Sequence, residues 1–267
     1  GKLSSDLSLR KDETLKREVY KGQLKSTNFD FGKFFDIPQL GKVTMNVNIN
    51  GSGLSLEEVA AELSGTINSL ELNSYNYKNI EVKGNAAKRI FNGELSIKDE
   101  NIDFDFSGKV DFTQKLPTMD FESHLNKANL RALHFSDSTK ATNLSTLLNV
   151  NVTGNTIDNL IGTIRFENTV YTKDNESYRM KLFNLSAHEQ NGTKSMLLNS
   201  DFLDGSIDGV FNVRDLPISL QQLFLKYLPS FFDESVKTKK IPAQNFEYDL
   251  SFKNTSDVTS LFTPSFT

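Results

Sequence analysis

The sequence predicts a mainly β fold, an extended antiparallel sheet with short helices. Apolar residues alternate with polar ones in several runs, the first of which contains Val43, Met45, Val47 and Ile49. Successive residues of a strand point to opposite sides, so each run has one apolar side and one polar side. This one-sided alternation is typical of antiparallel sheets, whereas parallel sheets are usually covered on both faces. Short segments rich in Gly and Asn separate the runs, which predicts hairpin turns.

Three further runs show the same alternation and complete the predicted set of strands with an apolar side. Their polar positions are filled by Asp, Asn, Glu, Ser and Lys. The apolar positions are Ile102, Phe104, Phe106 and Val110 in the first, Leu148, Val150 and Val152 in the second, and Phe246, Tyr248 and Leu250 in the third.

Two helices are predicted between the strands. Residues 55–62 begin with Ser and carry Glu three residues later, which is a capping-box pattern. Residues 217–233 begin with Pro and place Leu and aromatic residues at helical spacing, and lysines follow them. The longer helix either covers an open end of the sheet or docks on a membrane surface or a partner.

Internal repetition predicts how the chain is organised. Residues 46–51 (NVNING) return in similar form at 149–154 (NVNVTG), and Gly65-Thr66-Ile67 returns as Gly162-Thr163-Ile164. Such repeats favour an extended, solenoid-like sheet over a closed globule. We predict a first repeat unit with its leading strands at 1–143, a second at 144–216, an amphipathic helical insertion at 217–240, and further, truncated strands at 241–267.

Composition excludes several classes of function. The 267 residues include 30 Lys and Arg against 34 Asp and Glu, three His and no Cys, with a net charge of −4. An acidic chain lacks the cationic excess that nucleic-acid binding needs. Without Cys there is no disulfide, no thiol nucleophile and no iron–sulfur cluster. No stretch is long and apolar enough to predict a membrane-spanning helix.

The sequence contains no motif that predicts catalysis. It lacks a nucleophile elbow, a phosphate-binding loop and His pairs at metal-ligand spacing. The acidic stretch 99–105 has oxygen ligands that suit Ca²⁺, but Asp103 and Asp105 are predicted on the water-facing side of one strand. We therefore expect neither an enzyme nor a bound cofactor.

The stretch 30–112 resembles the TamB family (translocation and assembly module) of AsmA-like proteins. The resemblance rests on repeat-like segments such as 51–58 (GSGLSLEE), 63–67 (LSGTI) and 75–80 (YNYKNI), and on 154–164 in the later repeat. It implies a long, U-shaped β-taco whose concave groove is apolar. Family members are anchored in the inner membrane of Gram-negative bacteria, cross the periplasm and engage an Omp85-type outer-membrane protein. The resemblance further implies that this chain is an interior segment and that it has no catalytic residues.

These observations support a groove that shields phospholipid acyl chains during transport between the inner and outer membranes. In this hypothesis the membranes and the Omp85-type partner are reached through parts of the protein outside the segment. The alternatives are a scaffold or chaperone for the assembly of outer-membrane β-barrel proteins, a closed β-sandwich with a dry core, and an adhesive carbohydrate-binding repeat, which the lack of Trp disfavours. The candidate groove-lining residues are Val43, Met45, Val47, Ile49, Ile102, Phe104, Phe106, Val110, Leu148, Val150, Val152, Phe246, Tyr248 and Leu250.

Overall fold

The computed structural model describes residues 1–12, 17–53, 58–136, 142–173, 176–225 and 241–253, and it shows a mainly β protein. The described strands form one sheet in which strand order equals sequence order, and the first and last strands do not pair. The predicted open antiparallel architecture is therefore confirmed, and it is consistent with a β-taco-like fold. The strands are β1 (Lys2–Asp12), β2 (Arg17–Asp30), β3 (Leu40–Ser52), β4 (Ala60–Leu72), β5 (Tyr75–Ala87), β6 (Ile90–Lys98), β7 (Ile102–Asp111), β8 (Thr118–Asn129), β9 (Thr142–Thr153), β10 (Ile161–Lys173), β11 (Glu176–Gln190), β12 (Thr193–Ser200), β13 (Leu203–Val210) and β14 (Asn245–Phe252).

Helices occupy little of the described chain. They are α1 (Phe31–Phe35), α2 (Leu216–Leu225) and a 3₁₀ turn at Val213–Asp215. Helix α2 begins where the sequence predicts the longer helix, and the remainder of that prediction, 226–233, lies outside the described residues. No helix among the described residues is long and apolar enough to cross a membrane.

The helix predicted at 55–62 is wrong at its C-terminal end. Residues 54–57 lie outside the described part of the chain, but Ala60 and Ala61 belong to β4. There Ala61 pairs with Gly51 on one side and with Ala86 on the other. Hydrogen bonding to two neighbouring strands outweighs the local preference of a capping box, which stabilises a helix by about 1 kcal/mol.

The chain forms two compact units. Unit 1 comprises 1–151 and 166–182, and unit 2 comprises 152–165 and 183–267. The domain limits predicted from the repeats stay predictions.

One face of the sheet in unit 1 is apolar from β2 to β7. Residues that pair in an antiparallel ladder project to the same side of the sheet, so the register assigns each residue to a face. One rung crosses β2 to β7 through Leu24, Val47, Gly65, Val82, Leu95 and Phe106. The adjacent rung on the other face passes through Gln23, Asn48, Ser64, Lys83, Glu94 and Ser107. We call these sides the apolar face and the polar face.

Irregularities bend several strands of unit 1 near one end of the sheet. The β2–β3 register shifts between Ser26 and Phe29, and the β7–β8 register shifts between Asp103 and Phe104. Asn28 and Asn79 adopt left-handed backbone angles, with φ of 49° and 52°. Asn tolerates this conformation better than most residues, and bulges of this kind bend a strand and increase its twist.

Three glycines on neighbouring strands form one rung of the apolar face. Gly93 pairs with Gly84 on β5 and with Gly108 on β7. A Cβ on Gly93 would lie 2.3 Å from the carbonyl oxygen of Lys83, so only Gly fits this close approach of the strands. The ring of Phe106 lies 5.1 Å from the ring of Phe121, which is the residue that pairs with Gly108 on β8.

Each unit buries a small core. In unit 1, Ile80 and Tyr77 of β5 belong to the same buried cluster as Leu133, which lies on the turn that follows β8. In unit 2, Ala187 and Met196 belong to a buried cluster with residues at and before the start of α2. Away from these clusters, the described side chains of the sheet are covered mainly by their neighbours on adjacent strands.

Candidate functional site

The predicted lining residues of β3 and β7 lie together on the apolar face of unit 1. Val43 and Val47 are buried, and among the described elements β3 is contacted by β2, by β4 and by helix α1. The other members are half-buried: Met45, Ile49, Ile102, Phe104, Phe106 and Val110. These residues thus share one side of the sheet, and their role as the lining of a lipid groove stays a prediction.

The predicted residues of β9 also avoid the polar face. Val150 is buried, and its neighbours Asn149 and Asn151 project to the opposite side. There their side-chain amides donate to the carboxylates of Glu122, at 2.9 Å, and Asp120, at 3.1 Å. Leu148 is half-buried and Val152 is buried, and Val152 belongs to unit 2.

The predicted residues of β14 share one side of the sheet with the buried cluster of unit 2, and we call this side the apolar face of unit 2. They are less covered than the residues of β3 and β7. Tyr248 pairs with Ile207 of β13, which in turn pairs with Met196 of the buried cluster. Tyr248 is 47% exposed and Leu250 is exposed, whereas Phe246 is half-buried. Their exposure follows from the position of β14, because no described strand lies beyond it.

The apolar face of unit 1 is covered near the start of β5 and the end of β8, and we call this part its closed end. It is left uncovered along the edge strand β1, which we call its open end. At the closed end, the turn 130–135 inserts Leu133, and its His134 ring lies 3.4 Å from the carbonyl oxygen of Asn73. At the edge strand β1, in contrast, Leu9 is 62% exposed and Leu3 is also exposed. The alternation of the strands gives no sign of this turn, which sequence reasoning missed.

A hydrogen-bond network holds the closed end together. The Tyr75 hydroxyl donates to the carboxylate of Asp99 at 2.5 Å and accepts from the Asn101 amide at 3.0 Å. The backbone N–H of Lys78 donates to the other carboxylate oxygen of Asp99 at 3.1 Å. Burial and the hydrogen bond to the Asp99 carboxylate raise the pKa of Tyr75 to about 12. The network joins the β4–β5 turn to the β6–β7 turn.

The raised pKa of Tyr75 predicts a loss of stability at high pH. The hydroxyl is held protonated more tightly in the folded chain than in the unfolded one, whose pKa is 10.0. The contribution of the protonated Tyr75 hydroxyl to the free energy of unfolding is therefore complete below pH 10, and it is lost as the pH rises to about 12. Tyr75→Phe is expected to unfold with a free energy about 1–3 kcal/mol below wild type at pH 8. Denaturant titrations from pH 8 to 12 check this, and a constant difference across that range would contradict it.

The polar face carries ion pairs between the end of β6 and the start of β7. The Lys98 ammonium lies 2.6 Å from a carboxylate oxygen of Asp103 and 2.9 Å from one of Asp105. The hydrogen bond from Lys98 is the main cause that lowers the pKa of Asp103, and the hydroxyl of Ser96 is the main cause for Asp105. The carboxylates that suggested Ca²⁺ thus bind a lysine.

A shallow depression also lies on the polar face, opposite the predicted lining residues. Ser64, Thr66 and Ser96 are short side chains at its floor, and Glu81 and Lys83 are among the longer ones around it. Its charged lining residues are mostly acidic, and Lys83 is the cation among them. The acidic side chains do not come together as a metal site within the described ranges. The charged lining residues are Glu81, Lys83, Glu94, Asp105 and Glu122. This depression results from differences in side-chain length along the strands, and it was not predicted.

A buried lysine in unit 2 is a further feature that sequence reasoning missed. The Lys194 ammonium donates to the backbone carbonyl oxygen of Asp158 and lies 5.5 Å from the centre of the Phe211 ring. The Asp158 carboxylate in turn lies 3.2 Å from the guanidinium of Arg214. These contacts hold the loop before β10 against the sheet, because a buried ammonium needs partners for its charge.

The aliphatic and aromatic side chains of the apolar face can bind apolar ligands by contact. Within the described ranges, no three His, Asp or Glu side chains come together as a metal site. Recognition by this surface therefore depends on apolar area and on where that area is left open. Comparison with known proteins adds nothing further, since no family model, no curated protein and no solved structure matches the chain.

Proposed function

We propose that the apolar face shields phospholipid acyl chains as they pass between two membranes. The observation that carries the proposal is the apolar face of unit 1, which is lined by aliphatic and aromatic side chains and is left half-exposed by the described chain. Each acyl CH₂ group removed from water contributes about 0.8 kcal/mol, so a chain held along several strands is retained without polar recognition. The polar face keeps the opposite side in water.

The resemblance to the TamB family supplies the expected setting. In the proposal this segment lies in the periplasm, within a protein anchored in the inner membrane, and other parts of that protein contact an Omp85-type protein. In this proposal the segment is a passive track, neither an enzyme nor a cofactor carrier.

The free edges of the sheet favour a second function, assistance to the assembly of outer-membrane proteins. Among the described strands, β1 and β14 each have a backbone edge with no strand beside it. Such an edge can bind a client strand through main-chain hydrogen bonds. Proline at exposed edge positions would disrupt this function, whereas a change of polarity on the apolar face would not.

A photo-crosslinking amino acid at Phe106, with Asp105 as the matched control, tests the proposal in cells that make the full-length protein. The two positions are adjacent in β7 but lie on opposite faces. We expect phospholipid adducts at Phe106 and none at Asp105. Protein adducts without lipid at both positions would favour the assembly function. Absence of adducts at both would show that the apolar face is closed, which overturns the proposal.

A further inference from the structure

Four phenylalanines form an exposed cluster at the connection between β2 and β3. We call this cluster, Phe29, Phe31, Phe34 and Phe35, the aromatic lip. Ring centres lie 4.9 Å apart for Phe29 and Phe31, 5.7 Å for Phe29 and Phe34, and 4.9 Å for Phe34 and Phe35. Phe34 is nevertheless 64% exposed and Phe35 is 42% exposed.

The aromatic lip continues the apolar face beyond the ends of the strands. Phe29 pairs with Val43, which lies on the apolar face. Helix α1 then carries the other three rings past the sheet, and it is fixed at both ends. The Asp30 side chain accepts from the N–H of Lys33 at 2.9 Å, and Asp36 takes a left-handed conformation with φ of 57°. The rings are thus held in place before any partner binds.

The charges around the aromatic lip match a zwitterionic surface. Within the segment 29–42, Lys33 and Lys42 are balanced by Asp30 and Asp36. The side chain of Glu71 on β4 also reaches this segment, where it accepts from the backbone N–H of Lys42 at 3.1 Å. The Lys33 side chain is almost fully exposed and lies 3.6 Å from Asp30. A lysine stem beside exposed rings can bury its methylenes while its ammonium reaches a phosphate. The carboxylates of Asp30 and Asp36 also suit the cationic choline or ethanolamine group of the same lipid.

We propose that the aromatic lip inserts into the interface of a phospholipid bilayer. Pre-packed rings lose little conformational freedom on insertion, and their exposed apolar area drives the transfer out of water. Because charges of both signs lie at the site, binding depends little on anionic lipid and on salt. The proposal goes beyond acyl shielding, because it concerns a contact with an intact membrane and involves a connection outside the strands.

The absence of Trp from the chain allows a direct test with single-tryptophan variants. Phe35→Trp reports on the aromatic lip, and Phe112→Trp is the matched control, since Phe112 is 43% exposed and follows β7 at the opposite end of the strands. Vesicles of phosphatidylcholine and phosphatidylethanolamine that contain brominated acyl chains are added to each protein. We expect a blue shift and strong quenching of the fluorescence of Phe35→Trp, and neither for Phe112→Trp. No quenching at either position, or equal quenching at both, overturns the proposal.

A loss-of-binding variant tests the same contact without a reporter. Phe34→Ser combined with Phe35→Ser changes two exposed side chains, and it is expected to reduce co-sedimentation with these vesicles at least tenfold at both low and high salt. Unchanged co-sedimentation would overturn the proposal. The lipid adducts at Phe106 are read separately, so a failure of the aromatic lip and a failure of acyl shielding are distinguishable.

Discussion

Phe106→Asp is expected to reduce phospholipid capture more than tenfold. The ring of Phe106 lies in the middle of the apolar face, between those of Phe91 and Phe121. A carboxylate there would be desolvated by a bound acyl chain, at a cost of several kcal/mol, and 1.4 kcal/mol already corresponds to a tenfold change in affinity. Lipid that co-purifies with the protein, and transfer of labelled phospholipid between vesicles, measure the effect.

The matched control for this prediction is Asp105→Phe, on the opposite face of the same strand. It is expected to lower solubility and to leave lipid capture unchanged, because it removes contacts with Lys98 and Ser96 only. Circular dichroism establishes that both variants fold. Wild-type lipid capture by a folded Phe106→Asp protein would refute the role of the apolar face.

Ile80→Ala is expected to lower the free energy of unfolding by about 2–5 kcal/mol. Ile80 is 1% exposed and belongs to the core at the closed end of the apolar face. Truncation removes methyl and methylene groups from contact with that core, and the turn 130–135 cannot collapse fully into the space. Denaturant titration at neutral pH measures the change.

Leu9→Ala is the matched control, because Leu9 is an apolar side chain on the same face but at the open edge. Its exposure predicts a change within about 0.5 kcal/mol. Equal losses for Ile80→Ala and Leu9→Ala would show that the two ends of the face are covered alike, which would contradict the distinction between a closed end and an open end.

The sequence predicted the faces of the sheet because side-chain direction in a strand has a period of two. Val43 to Ile49 and Ile102 to Val110 were assigned to one side without knowledge of any neighbour. A bulge near Gly108 would have reversed part of that assignment. Instead, the β6–β7 register passes through the Gly93–Gly108 pair unchanged, and the shift lies at Asp103/Phe104, between β7 and β8.

The features that were missed depend on contacts between residues distant in sequence. Whether Leu133 fills the closed end depends on the path of a turn, which no periodicity encodes. The glycine rung becomes visible only once three strands are aligned, since each glycine alone is typical of a turn or a bulge. The burial of Lys194 follows from the loop that carries Asp158, which is 36 residues away. The C-terminal end of the short predicted helix was wrong because the pairing of Ala60 and Ala61 outweighs a local capping signal.

The identity of strand order and sequence order limits how such a chain can change in length. Deleting or duplicating a hairpin, which is two strands, rejoins the sheet with the correct strand direction and leaves every later apolar residue on its original side. Loss or gain of a single strand would bring together two neighbouring strands that run parallel instead of antiparallel. Each hairpin can also join the growing edge as soon as it is synthesised, because its partner has already been made. Evolution of this sheet is therefore expected to proceed in steps of two strands.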